Sequence, residues 1–262
     1  MRLLFRKPPP APAPTRLAVG CPPLDALLGG GVETGALTEV HGEAGSGKTN
    51  LCLQMVREVA RAGGRTLYID SEGVSMERLA QMAGPLLPEV EPRLFLDRVT
   101  TLAEQAKAAE RAARIARAVT DVRLVVVDSA TLLYRVQLAD GDGAGERRAL
   151  LRQLHGLQAA ARQRGFALVV TNQVFSLPDE DGVRALGGHG LKHLAGCVLR
   201  LERGAGPGAR SAVLVKHRSR PEGLTAGFRL GTRGLEPAEE ATTLPSTEAP
   251  KPLSTVHAAR RP

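Results

Sequence analysis

Short apolar runs that stop at polar or turn residues recur along the chain: ALTEVHG (36–42), RTLYID (65–70), RLFLDRV (93–99), RLVVVDS (123–129) and FALVVTNQ (166–173). Their length and β-branched content predict strands, and the intervening stretches near 48–62, 75–83, 101–119 and 146–164 carry apolar residues at helical spacing. In the first of these, Leu51, Met55, Val56 and Val59 fall on one face. Strands alternating with helices predict a mostly parallel central sheet flanked by crossover helices, an α/β fold. Three further runs, CVLRLER, SAVLVKH and AGFRLGT, follow one another across short turns such as GAGPG. They predict antiparallel strands at the C-terminal edge of that sheet.

At 262 residues the chain is long enough for one sizeable core, expected over 16–235. The flanks, 1–15 and 236–262, are rich in proline or in Pro, Thr, Ser and Glu without apolar period. Such segments bury too little surface to offset their ordering entropy, so both are expected to be disordered tails. Cys21, Cys52 and Cys197 are widely spaced and form no CxxC, which points away from a zinc site or a disulfide framework and suits a reducing cytoplasm. The opening MRLLFRKPPP is too short in apolar residues for a signal core, and no stretch is long enough to span a bilayer.

Charge changes the picture locally. The formal net charge is +8, and between Gly190 and Leu235 nine Lys and Arg stand against Glu202 and Glu222. That imbalance suits phosphates, although a solvated basic surface explains it equally well. By contrast Lys107, Arg111 and Arg114 read as the solvated face of a helix.

The chemistry sits where the predicted strands end. After ALTEV come Gly42, Glu43, Ala44, Gly45, Ser46, Gly47, Lys48 and Thr49, the phosphate-loop pattern. Backbone N–H groups of such a loop cradle phosphates, the lysine serves the terminal phosphates, and the threonine hydroxyl serves a divalent cation. Here a predicted strand precedes the loop and an amphipathic helix follows, whose N-terminus points free N–H groups at the phosphates. RLVVVD ends in Asp128, the expected Walker B acid holding Mg²⁺. RTLYIDSEG places Glu72 at the carboxyl edge, either as the base that polarises water or as a cap of the helix beginning near Ser75. Gln173 closes FALVVTNQ, where an amide can sense a γ-phosphate.

In this order the motifs resemble the RecA/RadA recombinase superfamily, above all through VGCPPLDALLGGGVETGALTEVHGEAGSGKTNLCLQMV and LYIDSEGVSMERL. GGHGLKHLAGCVLRLER and VLVKHRSRPEGLTAGFRLGTRGL resemble RadB, an archaeal branch of that superfamily. The resemblance implies a RecA-like P-loop ATPase core that binds ATP with Mg²⁺ at Lys48, Thr49 and Asp128, with Glu72 activating water and Gln173 sensing the γ-phosphate. It also implies binding to single-stranded or branched DNA, a main recombinase and other repair proteins as partners, a possible homo-oligomer, and a cytoplasmic, nucleoid-associated setting.

Lys216 and Arg218, flanking His217, resemble the paired cations by which recombinases reach a neighbouring subunit's γ-phosphate; a solvated basic turn is the alternative. The family's helix-hairpin-helix and Phe-x-x-Ala tether have no counterpart here, since about fifteen residues precede the core and Pro8 stands three after Phe5. The expectation is therefore an accessory or mediator with weak ATP hydrolysis and no strand exchange of its own. A RecA-like regulatory ATPase acting on protein partners is the alternative. The segments after Asp128 and Gln173 lie where recombinases contact DNA. They carry Asp140, Asp142, Asp179, Glu180 and Asp181, which repel phosphates, beside Arg135, Arg147, Arg148 and Arg184. Tyr134 and Phe175 are the candidates for base stacking.

Overall fold

The computed structural model describes residues 15–138, 144–176, 183–185 and 188–238. The tails beyond these limits, and Asp140, Asp142, Asp179, Glu180 and Asp181, lie outside the described residues. So do the side chains of Phe175 and Arg184.

The chain enters through a small ribbon, β1 (Arg16–Leu17) on β2 (Val32–Glu33), with helix α1 (Pro22–Leu27) between them. Proline in its first turn and the Asp25 carboxylate, which accepts the Val19 and Gly20 N–H groups at 2.6 and 3.1 Å, start that helix. Strand β3 (Leu37–Gly42) then leads to α2 (Lys48–Arg61), β4 (Arg65–Asp70), α3 (Met76–Ala83), the short α4 (Leu87–Val90) and β5 (Leu94–Arg98). Next come α5 (Leu102–Ala118), β6 (Val122–Asp128), α6 (Leu132–Leu138), α7 (Ala144–Arg164) and β7 (Ala167–Ser176). The chain closes with β8 (Val183–Ala185), α8 (Gly188–Leu194), β9 (Cys197–Arg203), β10 (Ala209–His217), β11 (Thr225–Gly231) and β12 (Gly234–Pro237).

Ten strands form the main sheet in the order β12-β11-β10-β9-β3-β7-β6-β4-β5, with β8 paired to β7. The strands from β9 to β5 in that order run parallel to their neighbours, whereas β10, β11 and β12 are antiparallel. One expectation changes: CVLRLER is not an antiparallel extension but pairs parallel to β3, because α8 carries the chain back to the amino edge before β9 starts. At the C-terminal edge antiparallel pairing begins at the β9–β10 turn, and β8 also pairs antiparallel to β7. Strand β12 also runs to Pro237, two residues past the boundary expected at 235, since its pairing with β11 extends to Phe228 and Pro237.

Each central strand is apolar on both faces because both are covered. Leu124 and Val126 of β6 and Val169 of β7 join the core beneath α1, α2 and α3, while Val125, Val127, Leu168 and Val170 join the core beneath α5 and α7. On α5 the residues toward that second core are Ala108, Ala109, Ala112, Ala113 and Ala116, small enough to let α5 and α7 approach closely, while Lys107, Arg111 and Arg114 stay exposed. Tyr134 is buried in that second core, so it is not available for stacking on a base. Among the described residues no helix is long and apolar enough to cross a membrane.

Helix α2 is buried on more than the face its sequence marks: Cys52, Leu53 and Gln54 are covered too, because β12, α3 and α4 pack on its outer side. The Gln54 amide accepts the Leu235 N–H at 2.6 Å and donates to the Leu235 and Gly20 carbonyls at 3.0 and 2.7 Å. The phosphate-loop helix is thereby tied to both ends of the fold.

Candidate functional site

The loop between β3 and α2 needs its glycines for two physical reasons. A Cβ on Gly42 would lie 2.3 Å from the Leu201 carbonyl oxygen and 2.6 Å from Ser46 Oγ, so only glycine fits between β9 and the loop. Gly47, which precedes the helix, has φ +107 and rests against Leu230, a conformation that L side chains resist. No side chain caps α2, which leaves its first N–H groups facing the loop. Ser46 Oγ is buried with no hydrogen-bond partner.

Lys48, 5% exposed, folds back over the loop and donates to the carbonyls of Gly42 and Glu43 at 2.9 and 3.0 Å. Burial lowers its pKa, while the charges of Glu72 and Asp128 oppose the shift. Thr49 follows in the first turn of α2. From the far side of the loop Arg210 on β10 donates two hydrogen bonds to the Gly45 carbonyl, at 3.1 and 2.8 Å. The sequence marked Arg210 only as one of many cations, because the contact spans 165 positions.

The acids stand at the adjoining strand ends. Asp128, 1% exposed at the end of β6, accepts the Tyr68 hydroxyl at 2.6 Å on one oxygen and the Thr171 hydroxyl on the other. Burial and the neighbouring Asp128 hold the Tyr68 hydroxyl protonated, its pKa well above the usual value. Glu72 accepts the Gln173 side-chain amide at 2.8 Å. Desolvation first, then the Asp128 charge, raises the Glu72 pKa, with Gln173 and Lys48 acting against them. The capping alternative for Glu72 falls away, because Ser75 caps α3 by accepting the Arg78 N–H at 3.1 Å. The turn that carries Glu72 is held by Asp70, whose carboxylate accepts the N–H groups of Glu72, Gly73 and Val74 at 3.1, 2.9 and 2.8 Å.

These residues fit a nucleotide phosphate with a hard divalent cation. The free helix N-terminus, the lysine and the orphaned Ser46 hydroxyl suit phosphate oxygens. Asp128 and the Thr49 hydroxyl supply hard oxygen atoms, the donor type that suits Mg²⁺ bound beside a nucleotide's phosphates.

The Rad51 family profile matches residues 14–237, through β12 and across every described element. The chain belongs to the Rad51 family. Among curated Rad51-family relatives, it is similar to the DNA repair and recombination protein RadB of Methanococcoides burtonii, 39% identical over 84% of this chain and 97% of that protein. It is likewise similar to the RadB of Halobacterium salinarum, 40% identical over 86% of this chain and 96% of that protein. Among solved structures, a crystal structure of the RadB recombinase superimposes with TM-score 0.73 at 38% identity, covering 85% of this chain and 100% of that one. The fold is RecA-like.

Within this Rad51-family core the basic pair Lys216 and Arg218 stands apart from the loop. The pairing of β9 with β3 runs from Cys197, opposite Thr38, to Leu201, opposite Gly42. The end of β10 at His217 pairs with Cys197 and so lies at the amino edge, about 13 Å of strand from the phosphate loop. Lys216 donates to the carbonyls of Lys192 and Ala195 at the end of α8, both at 2.7 Å, and Arg218 pairs with Glu33 at 2.9 Å. Neither cation reaches its own chain's loop.

A buried polar chain also escaped the sequence. The Thr131 hydroxyl donates to Asn172 Oδ1 at 2.7 Å, and the Asn172 amide donates to Glu39 Oε1 at 2.8 Å; His41 Nδ1 lies 3.8 Å from the same oxygen. A glutamate and a histidine at alternate positions of ALTEVHG were the available signal.

Proposed function

We propose that the chain is an ATP- and DNA-binding protein of homologous recombination and repair that assists a main recombinase, hydrolyses ATP slowly and performs no strand exchange of its own. The observation that carries this reading is the convergence of Lys48, Glu72, Asp128 and Gln173 around the phosphate loop in a Rad51-family chain. The RadB names of its relatives supply the recombination setting.

In this reading the backbone N–H groups of Gly45 to Thr49 and the Lys48 ammonium bind the phosphates of ATP. Thr49 and Asp128 would hold Mg²⁺, which would neutralise phosphate charge. Glu72 accepts the proton of the attacking water on its carboxylate, and its raised pKa makes it a stronger base than an ordinary surface glutamate. Gln173 ties that carboxylate to β7, so the condition of the site is passed along that strand. Lys216 and Arg218, at the amino edge, serve only a neighbouring subunit's nucleotide, which makes turnover depend on assembly.

The test is fluorescence anisotropy of labelled single-stranded DNA against salt, with and without ATP, alongside ATPase assays with and without DNA and recombinase. Binding that weakens steeply with salt and a slow, assembly-dependent turnover are expected. Absence of DNA binding at low salt would favour a regulatory ATPase that acts on protein partners.

A further inference from the structure

Two hydroxyls that the nucleotide reading leaves unused converge on Asp128 from neighbouring strands. Tyr68 from β4 and Thr171 from β7 each place a hydroxyl on a different oxygen of Asp128, which stands between them on β6. All three residues are almost wholly buried. An ionised carboxylate only accepts, so both hydroxyls donate, and each oxygen keeps a further lone-pair site free. Thr171 is itself fixed by its β-branched side chain and by its carbonyl, which accepts the Ala130 N–H at 3.0 Å. Held on both oxygens, Asp128 loses the rotation about its terminal bond that an acid at a strand end otherwise keeps.

We propose that Tyr68 and Thr171 are positioning residues that fix the Asp128 carboxylate for the divalent cation, and so set how much Mg²⁺ the site requires. This rests on the nucleotide-binding reading above. Outer partners that orient a ligating group commonly contribute ten- to a hundred-fold to metal affinity. A merely structural pair, present to satisfy a buried acid, would change stability and leave the Mg²⁺ requirement alone.

The experiment measures binding of the fluorescent analogue mant-ATP across a Mg²⁺ titration, and separately in EDTA, for the wild type, Tyr68→Phe, Thr171→Val and Thr171→Ser. Tyr68→Phe and Thr171→Val should shift the Mg²⁺ midpoint upward by about tenfold or more while affinity in EDTA is unchanged. Thr171→Ser keeps the hydroxyl and should keep the wild-type midpoint. Unshifted midpoints in the folded variants, or an equal loss of affinity in EDTA, would overturn the proposal. Each of the first two variants removes a different hydroxyl, so failure of one to fold leaves the other to decide. Lys48→Ala is the control for the underlying reading: if the wild type binds no mant-ATP, or Lys48→Ala binds it equally well, both the nucleotide assignment and this inference fall. If the wild type responds to Mg²⁺ and the hydroxyl variants do not differ from it, only this inference falls.

Discussion

Glu72 combines its proposed task with a charge that the fold disfavours. Its folded pKa is raised, so the fold favours its protonated form: the stability it contributes is present below the ordinary glutamate pKa and is lost as pH rises through the raised value. At neutral pH the ionised side chain therefore acts against folding. Glu72→Gln should raise the melting temperature slightly at neutral pH, and the gain should vanish in acid, as calorimetry across pH will show. In the proposed reaction the same shift bears on turnover. A base works only when ionised, so the acid limb of the ATPase profile should lie above the usual glutamate range, and Glu72→Gln should slow hydrolysis by at least about a hundredfold while mant-ATP still binds. Equal turnover by wild type and variant would remove Glu72 from the chemistry.

At the scale of elements, α2 links the loop to the rest of the molecule. Gln54 sits in its interior with three hydrogen bonds to backbone groups of Leu235 and Gly20, so Gln54→Leu strands a buried N–H and two carbonyls. A loss of about 2 to 3 kcal/mol in urea denaturation is expected. The elements themselves were largely legible in the sequence, for a physical reason. Strands covered on both faces must be apolar throughout, as RLVVVDS is, and crossover helices must carry apolar residues at helical spacing. What local pattern does not encode is direction. CVLRLER has the same composition whether it runs parallel or antiparallel to β3, and only the position of α8 decides. Tyr134, at the start of a predicted loop, was open to a role on DNA until the packing of α6 against α7 placed it in the core.

At the scale of the whole molecule, the proposed roles fall on the two opposite edges of the sheet. The loop, Glu72, Asp128 and Gln173 share the carboxyl edge, and Lys216 and Arg218 occupy the amino edge, engaged with α8 and Glu33. If these cations serve a neighbour's nucleotide, ATPase activity should rise with protein concentration. Arg218→Ala should then abolish the concentration-dependent part while leaving mant-ATP binding to the isolated chain intact. Turnover in that variant equal to wild type would show that the amino edge takes no part. Glu33→Gln, which frees the same guanidinium, separates loss of the cation from loss of the ion pair.

The sequence by itself determined the phosphate-loop motif, the acid that ends an apolar run, the alternation of strand and helix, and the membership these imply, because each is set by neighbours within a few residues. Glycines at 42 and 47, a lysine at the head of a helix and an acid at the end of an apolar run carry their meaning locally. Tertiary structure alone decided which distant groups meet: Arg210 on the Gly45 carbonyl, Tyr68 and Thr171 on Asp128, Gln173 on Glu72, and the separation of Lys216 and Arg218 from the loop. Those contacts join strands far apart in sequence, and hydrogen-bond geometry, unlike hydrophobic periodicity, leaves no repeating trace along the chain. HGEAGSGKTN marks the candidate phosphate site; the strands around it determine how the neighbouring acids are held.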